Sequence, residues 1–336
     1  MIILTIAIPC YNQEKYIARC LDSFADERFA GRLEVIVVND GSDDASPAIA
    51  KQYATAYPAI FRVTDRPNGG HGAAINTGIS EAAGRYFRVI DGDDRADTEA
   101  LAAFIAALEA LDADIVIDRR ADEAGGRSTA RPLPFSGPRS AVLPFEAVCG
   151  PETAPYMTMH TMTVRAGLIR EHGIKLMERA YYVDYEYSLK AAAFAKTAAI
   201  IDITVYHYRL GDQNQSVAPL NYVKNYDHHA RVVREALSFA AREDIGAQRA
   251  RYVIHSVSLI INTHLNIALL YNPDKKQGRG QAALFMSFLK TEHPNFYKFA
   301  RKRYIQALAL NWTGVRFWIF FSQRRMRVQR IRDFGF

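Results

Sequence analysis

The 336-residue chain, 49% hydrophobic, is long enough for one large domain or two moderate ones and apolar enough to pack a core, which excludes a disordered or fibrous protein. Its formal net charge of +6 suits an anionic partner such as a nucleotide, a nucleic acid or an acidic membrane surface. The three cysteines, Cys10, Cys20 and Cys149, are odd in number and set among apolar residues, which excludes a disulfide framework and reads as the reduced core of a cytosolic protein.

The first nine residues have no basic leader and no export cleavage pattern, and residues 2–8 read as a strand buried on both faces of a parallel sheet. Pro9-Cys10-Tyr11-Asn12 breaks it, and Ile17, Cys20, Leu21 and Phe24 then recur at helical spacing. A second buried strand, 33–38, ends in Asn39-Asp40-Gly41-Ser42-Asp43-Asp44, and Ser46-Pro47 has the N-cap and first-turn chemistry of a helix running to about residue 57. A short third strand at 61–64 leads into Asn68-Gly69-Gly70-His71-Gly72 and a helix through Ala73, Ala74 and Ile79.

The fourth strand, 86–90, stops abruptly in Asp91-Gly92-Asp93-Asp94. Three carboxylates around one glycine suit a hard divalent cation, Mg²⁺ or Mn²⁺, that takes its other ligands from water and substrate phosphate; the bland alternative is an acidic turn. Leu101, Phe104, Ile105, Leu108 and Leu111 form the next helix face, and 115–117 a fifth strand. The alternation predicts an α/β fold, a mostly parallel Rossmann-like sheet flanked by helices, with ligands beyond the carboxyl ends of the strands. All four polar clusters follow strands and are expected on one rim.

Residues 121–155 have no steady period and read as an inserted loop or weak hairpin. A strand is expected at 159–164, a short helix ending near Gly173, a helix opening at Tyr181 to Tyr187, and a last strand at 200–208 before a polar loop. Beyond residue 222 the pattern is helical. Residues 253–271 are uncharged and near the length of a membrane span, but His255, Ser258, Asn262 and Asn266 form a polar stripe that favours a buried helix in a bundle. Residues 315–332 join Phe317, Trp318, Phe320 and Phe321 to the following Arg324, Arg325, Arg327, Arg330 and Arg332, as in a helix lying in an anionic membrane interface; the alternative is a packed terminal helix with a solvated basic face.

The ordered set Ile8-Pro9-Cys10-Tyr11-Asn12, Val38 to Asp44, Asn68 to Ile79 and Asp91-Gly92-Asp93-Asp94 resembles family 2 glycosyltransferases of the GT-A fold, of the bacterial surface-polysaccharide type. The resemblance spans roughly 1–218 and implies a glycosyltransferase domain over 1–220, with a nucleotide-sugar half to residue 120 and an acceptor half beyond, followed by a helical region over 221–336. It implies a nucleotide-sugar donor, most often a UDP-sugar, with Mn²⁺ or Mg²⁺, and a saccharide or lipid-linked acceptor at the cytoplasmic face of the plasma membrane. By position, Pro9, Tyr11 and Asp40 would hold base and ribose, and Asn68 would lie against the nucleotide. Asp93 would ligate the metal, and Asp91 the ribose or a metal-bound water, with Asp94 assisting. Ile75 stands where the family often has Arg, so one diphosphate contact would be missing.

Arg209 and Ser216 resemble the family's loop that closes over the diphosphate, with His207 a weaker candidate. Asp184 stands where the family has its general base, behind Val183 instead of the usual Glu; its competing role is a helix N-cap, and Glu186 is the fallback base. One base opposite the leaving group implies a single displacement with inversion. Two other classes compete: a nucleotidyltransferase, which would show a glycine-rich basic loop after the first strand, and a non-catalytic nucleotide-sugar binder or scaffold. No nucleic-acid reader motif is present, and a homo-oligomer is compatible with the sequence.

Overall fold

The computed structural model describes residues 1–135, 137–211, 215–242, 245 and 247–313. Its two compact units, 1–211 and 212–336, are taken in turn.

The first unit opens with β1 (Leu4–Cys10), α1 (Ile17–Asp22), β2 (Leu33–Asn39), α2 (Ser46–Ala56), β3 (Phe61–Asp65), α3 (His71–Glu81) and β4 (Tyr86–Val89). It continues with β5 (Arg95–Ala96), α4 (Thr98–Glu109), β6 (Ile115–Ala124), β7 (Arg127–Ala130), β8 (Leu143–Pro144), α5 (Phe145–Val148), β9 (Met162–Arg165), α6 (Ala166–Glu171), α7 (Val183–Phe194) and β10 (Thr197–Arg209). The sheet order is β3-β2-β1-β4-β9-β6-β10-β5, with β7 on β6 and β8 on β10. β1 to β4 are mutually parallel, so the loops after each lie on one rim. The chain winds outward from β1 to β3 and returns to β4 on the other side of β1, which makes the β1/β4 junction a topological switch point, where such sheets bind ligands.

β1 is buried at every residue, as its unbroken apolar run requires of a central strand. The core beneath it joins Ile6, Ile8, Val35, Val37, Phe104 and Tyr206. β9 runs antiparallel to both β4 and β6, so the sheet is parallel in its first half and mixed in its second. β6 extends to Ala124 where the sequence suggested an end at residue 117, because Asp118, a strand-ender in appearance, is fully buried against Arg88. Ser46 is not the cap of α2: Ala45 holds that place, and the Ser46 hydroxyl instead accepts the Gln13 N–H at 2.8 Å. All three cysteines are free and buried.

The second unit is helical over its described residues: α8 (Pro219–Lys224), α9 (Tyr226–Ala240), α10 (Ala247–Asn266) with a π-turn over Ile267–Tyr271, α11 (Lys275–Glu292) and α12 (Pro294–Trp312). Arg249–Tyr271 is long and apolar enough to cross a bilayer, yet half of its apolar window is buried. The buried face carries Val253, Val257, Ile260, Ile261 and Leu265, while His255, Ser258 and Asn262 lie in the half-exposed stripe. α11 approaches closely because Gly278 has no side chain; a Cβ there would stand 2.0 Å from the Ala268 carbonyl oxygen. His229 and His264 stack in the interior, and burial keeps both imidazoles neutral. The basic aromatic segment 315–332 lies outside the described residues.

Candidate active site

Several polar residues of the rim hold the loops to one another. Asn12 N–H donates to Ser42 Oγ, Asp43 N–H to Asn12 Oδ1 and Glu14 N–H to Asp44 Oδ2, which stitches the loop after β1 to the loop after β2. Asp40 is buried, and its carboxylate accepts Gly69 N–H, Gly70 N–H and the Arg66 guanidinium at 3.0, 2.7 and 3.1 Å. Asn68 donates to the Asp40 carbonyl. Asp40 and Asn68 therefore fix the entrance to α3, where Gly70 takes a φ of +84° that favours glycine. Pro9 is buried near the end of β1, Tyr11 is 47% exposed beside it, and Ile75 lies in the core.

The carboxylates after β4 divide into two kinds. Asp94 is committed: its Oδ1 accepts the Arg209 N–H at 2.7 Å and its Oδ2 the Tyr206 hydroxyl at 2.5 Å, clamping the loop to β10. Burial, then the charges of Asp93 and Asp91, push its carboxyl far above the usual range. Asp93 faces the Arg209 guanidinium at 2.8 Å, and that guanidinium lies 3.9 Å over the Tyr16 ring. Burial and the Asp91 charge raise the Asp93 carboxyl in spite of Arg209. Asp91 behaves oppositely: burial opposes its ionisation, but the hydrogen bond and charge of His160 and the charge of His71 hold it below the usual range.

Two histidines flank Asp91. His71 Nε2 is 3.5 Å from Oδ1 and His160 Nε2 is 3.6 Å from Oδ2. Arg120 lies 3.4 Å from His160 Nδ1, on the ring edge away from Asp91. His160 is held in turn from below, its carbonyl accepting from Arg88 at 2.8 Å, while Arg88 also pairs with Asp118 at 2.7 Å. Arg88 and Asp118 are both fully buried, and burial lifts the Asp118 carboxyl to about 6 against the pull of Arg88. Asp118→Asn strands the guanidinium and is expected to destabilise the unit by about 3–5 kcal/mol, read by thermal unfolding, whereas Arg88→Met/Asp118→Leu together should cost less than either single change.

Spare acceptor capacity decides whether this loop suits a divalent cation. Asp91 Oδ1 is buried with no hydrogen-bond partner, an expensive state for a carboxylate oxygen unless something else uses it. One ligand atom each of Asp91, Asp94 and His160 lies within 4.8 Å of the others, a group that does not include Asp93. Each Asp94 oxygen already accepts one hydrogen bond, so this loop offers an ion two donor sets, Asp91 with Asp93 or Asp91 with Asp94 and His160. The carboxylate oxygens fit a hard cation.

Asp184 lies in the first turn of α7, facing the same cluster: burial raises its carboxyl, the nearby His160 and His71 oppose that rise, and Asp91 adds to it. It is not the helix cap. Tyr182 occupies that position, with a φ of +70° and no side-chain capping bond, a strained conformation for an aromatic residue. Glu186 is buried, bound to Lys190 and to the Met177 N–H, which removes it as a base. The Met177 segment reaches α3 only because residue 72 is glycine; a Cβ would meet the Met177 carbonyl oxygen at 2.2 Å. His207 pairs with Glu123 and Arg95 on the sheet, a structural position. Ser216 belongs to the second unit, beyond the undescribed 212–214.

The sequence model of glycosyl transferase family 2 matches residues 5–170. Residues 5–170 belong to this family. The matched segment runs from β1 into α6, the switch point and the carboxylate loop included. Among relatives of this family 2 glycosyltransferase, an uncharacterized glycosyltransferase EpsJ of Bacillus subtilis is 28% identical over 268 residues, 74% of this chain and 75% of the relative. Among solved structures, residues 1–349 of TarS from S. aureus, in complex with UDP-GlcNAc, align with a TM-score of 0.62 at 18% identity over 93% of this chain and 92% of that one. The mannosyltransferase PcManGT of Pyrobaculum calidifontis, in complex with GDP-Man and Mn²⁺, aligns at 0.52 and 14% identity over 93% and 87%. The fold is GT-A with a helical C-terminal region.

Proposed function

We propose that this glycosyltransferase moves a sugar from a UDP-sugar to a hydroxyl of a saccharide or lipid-linked saccharide acceptor, by one displacement that inverts the anomeric carbon. The observation that carries the reading is the pairing, at the switch-point rim, of an Asp91 oxygen that accepts no hydrogen bond and has only His71 at 3.5 Å with an Asp184 carboxyl that feels the charges of Asp91, His160 and His71. Mn²⁺ or Mg²⁺ on Asp91 and Asp93 would neutralise the charge that develops on the departing diphosphate. Arg209, close enough to Asp93 to share that charge, supplies a planar donor for phosphate oxygens. Asp184 takes the proton of the acceptor hydroxyl. Tyr11 and Pro9 offer a wall for the base, while Asp40 and Asn68 act by fixing the turn beside it. Ser216 is assigned to the diphosphate by resemblance alone. The donors bound by TarS and by PcManGT support a nucleotide-sugar; they differ in base and sugar, so donor class is the point to test.

Purified protein incubated with UDP-, GDP- and dTDP-sugars, in Mn²⁺, Mg²⁺ or EDTA, is expected to release free UDP slowly from one donor and only with metal. Release unaffected by EDTA would remove the metal from the account. Release from a GDP-sugar alone would replace the donor class.

A further inference from the structure

The basic character of this chain is confined to its end. Residues 294–336 hold ten of the 42 Lys and Arg but one of the 36 Asp and Glu, so this stretch carries +9 and the preceding 293 residues −3. α12 opens the stretch with Lys298, Arg301, Lys302 and Arg303 and no acidic residue. Its Ala300, Ala307 and Asn311 are buried, which defines the inward face. The outward face carries Lys298, Arg301, Lys302, Ile305, Ala309 and Trp312, spaced three or four apart and all exposed. Ile305 is 54% exposed and Trp312 67%, with Phe299 at the margin 61% exposed. Arg279 braces the end of this face, its guanidinium 4.1 Å over the Trp312 ring and bonded to Asn311 Oδ1 at 2.8 Å.

We propose that this face of α12 docks on an anionic lipid bilayer, lying in the headgroup plane with Ile305, Phe299 and Trp312 inserted and Lys298, Arg301 and Lys302 against lipid phosphates. Such a helix needs both attractions at once, apolar area for the acyl boundary and cations for the anionic surface, and α12 mixes them on one exposed face. Trp and long basic side chains are suited to that boundary, since each has an apolar body and a polar tip. Charge selects among occupants. The chain's own residues 314–336 hold six arginines against Asp333, so folding them onto α12 sets cation on cation, and a second copy meeting face to face does the same. A nucleic acid would answer the cations but leave Ile305 and Phe299 in water. The proposal involves no step of the reaction, so it fails or stands independently of the donor chemistry.

The test is co-sedimentation of the full chain with phosphatidylcholine vesicles containing or lacking phosphatidylglycerol. The protein is expected to partition onto the anionic vesicles, to leave pure phosphatidylcholine in the supernatant, and to be released by raised salt. Lys298→Glu/Lys302→Glu should lower partitioning at least about tenfold, each basic residue near such a surface contributing on the order of 1 kcal/mol. Ile305→Ser/Trp312→Ser should lower it at unchanged salt sensitivity. These side chains are exposed, so melting temperature and UDP release are expected to hold in all variants. Equal partitioning of variants and parent would overturn the proposal by placing any binding outside α12. So would absent binding of the parent, a dimer in light scattering that either pair of changes dissociates, or a preference for RNA that abolishes vesicle binding.

Discussion

Asp184→Asn is expected to lower sugar transfer by roughly 10²–10⁴-fold while leaving nucleotide affinity unchanged, the loss typical of removing a positioned general base. The substitution keeps the size of the side chain and its place in the first turn of α7, and no capping bond is lost because Tyr182, not Asp184, holds the cap position. Stability supplies the control. Burial raises the Asp184 carboxyl, so the folded state binds its proton more tightly than the unfolded chain, and this group's contribution is greatest at low pH and shrinks as pH rises through the raised value. At neutral pH the ionised side chain is a burden on the fold, and Asn should leave the melting temperature equal or higher. Activity runs the other way: a base must be ionised, so the acidic limb of kcat should sit above the ordinary carboxylate range and disappear in the variant. Full transfer by Asp184→Asn would return the residue to a structural role and end the inverting assignment.

Asp93→Ala should reduce metal-dependent nucleotide release by roughly 10²–10³-fold and weaken Mn²⁺ binding, measured directly by the paramagnetic signal of free Mn²⁺. Burial and the Asp91 charge raise the Asp93 carboxyl while its contact with Arg209 opposes the rise, so the alanine removes a proposed ligand and one partner of the Arg209 guanidinium together. Asp94→Asn provides the contrast. Its carboxylate joins the loop to β10 through Tyr206 and the Arg209 N–H, so its loss should appear first as a lower melting temperature. If Asp93→Ala binds Mn²⁺ as the parent does, the ion is held by the Asp91, Asp94 and His160 set instead.

The carboxylate loop was legible in the sequence because a strand that stops in Asp91-Gly92-Asp93-Asp94 advertises both its position and its chemistry. The shared rim was legible for a similar reason: alternation of strand and helix dictates parallel pairing, and parallel pairing puts every following loop on one side. His160 was not. It lies in the run 159–164 that reads as a strand, but Met159–Thr161 forms a 3₁₀ turn ahead of β9, and His160 reaches Asp91 only because β9 inserts antiparallel between β4 and β6 and Arg88 holds its carbonyl from inside the sheet. Tyr206 was hidden among the aromatics of an apolar strand, where nothing distinguishes a hydroxyl that binds Asp94 from one that merely packs. Asp40 illustrates the converse, a polar rim residue whose carboxylate is occupied by Gly69, Gly70 and Arg66. Pattern reports where polar groups gather; the third dimension decides which of them remain available.

Calorimetric titration of the full chain with UDP, in Mn²⁺ and again in EDTA, tests the central claim most directly. Nucleotide and metal should meet on the rim formed by Tyr11, Arg209, Asp91 and Asp93, so UDP is expected to bind with Mn²⁺ and to lose most of that affinity in EDTA. Absence of binding for UDP, GDP and dTDP alike, with Mn²⁺ present, would contradict the assignment of this rim as a nucleotide-sugar site.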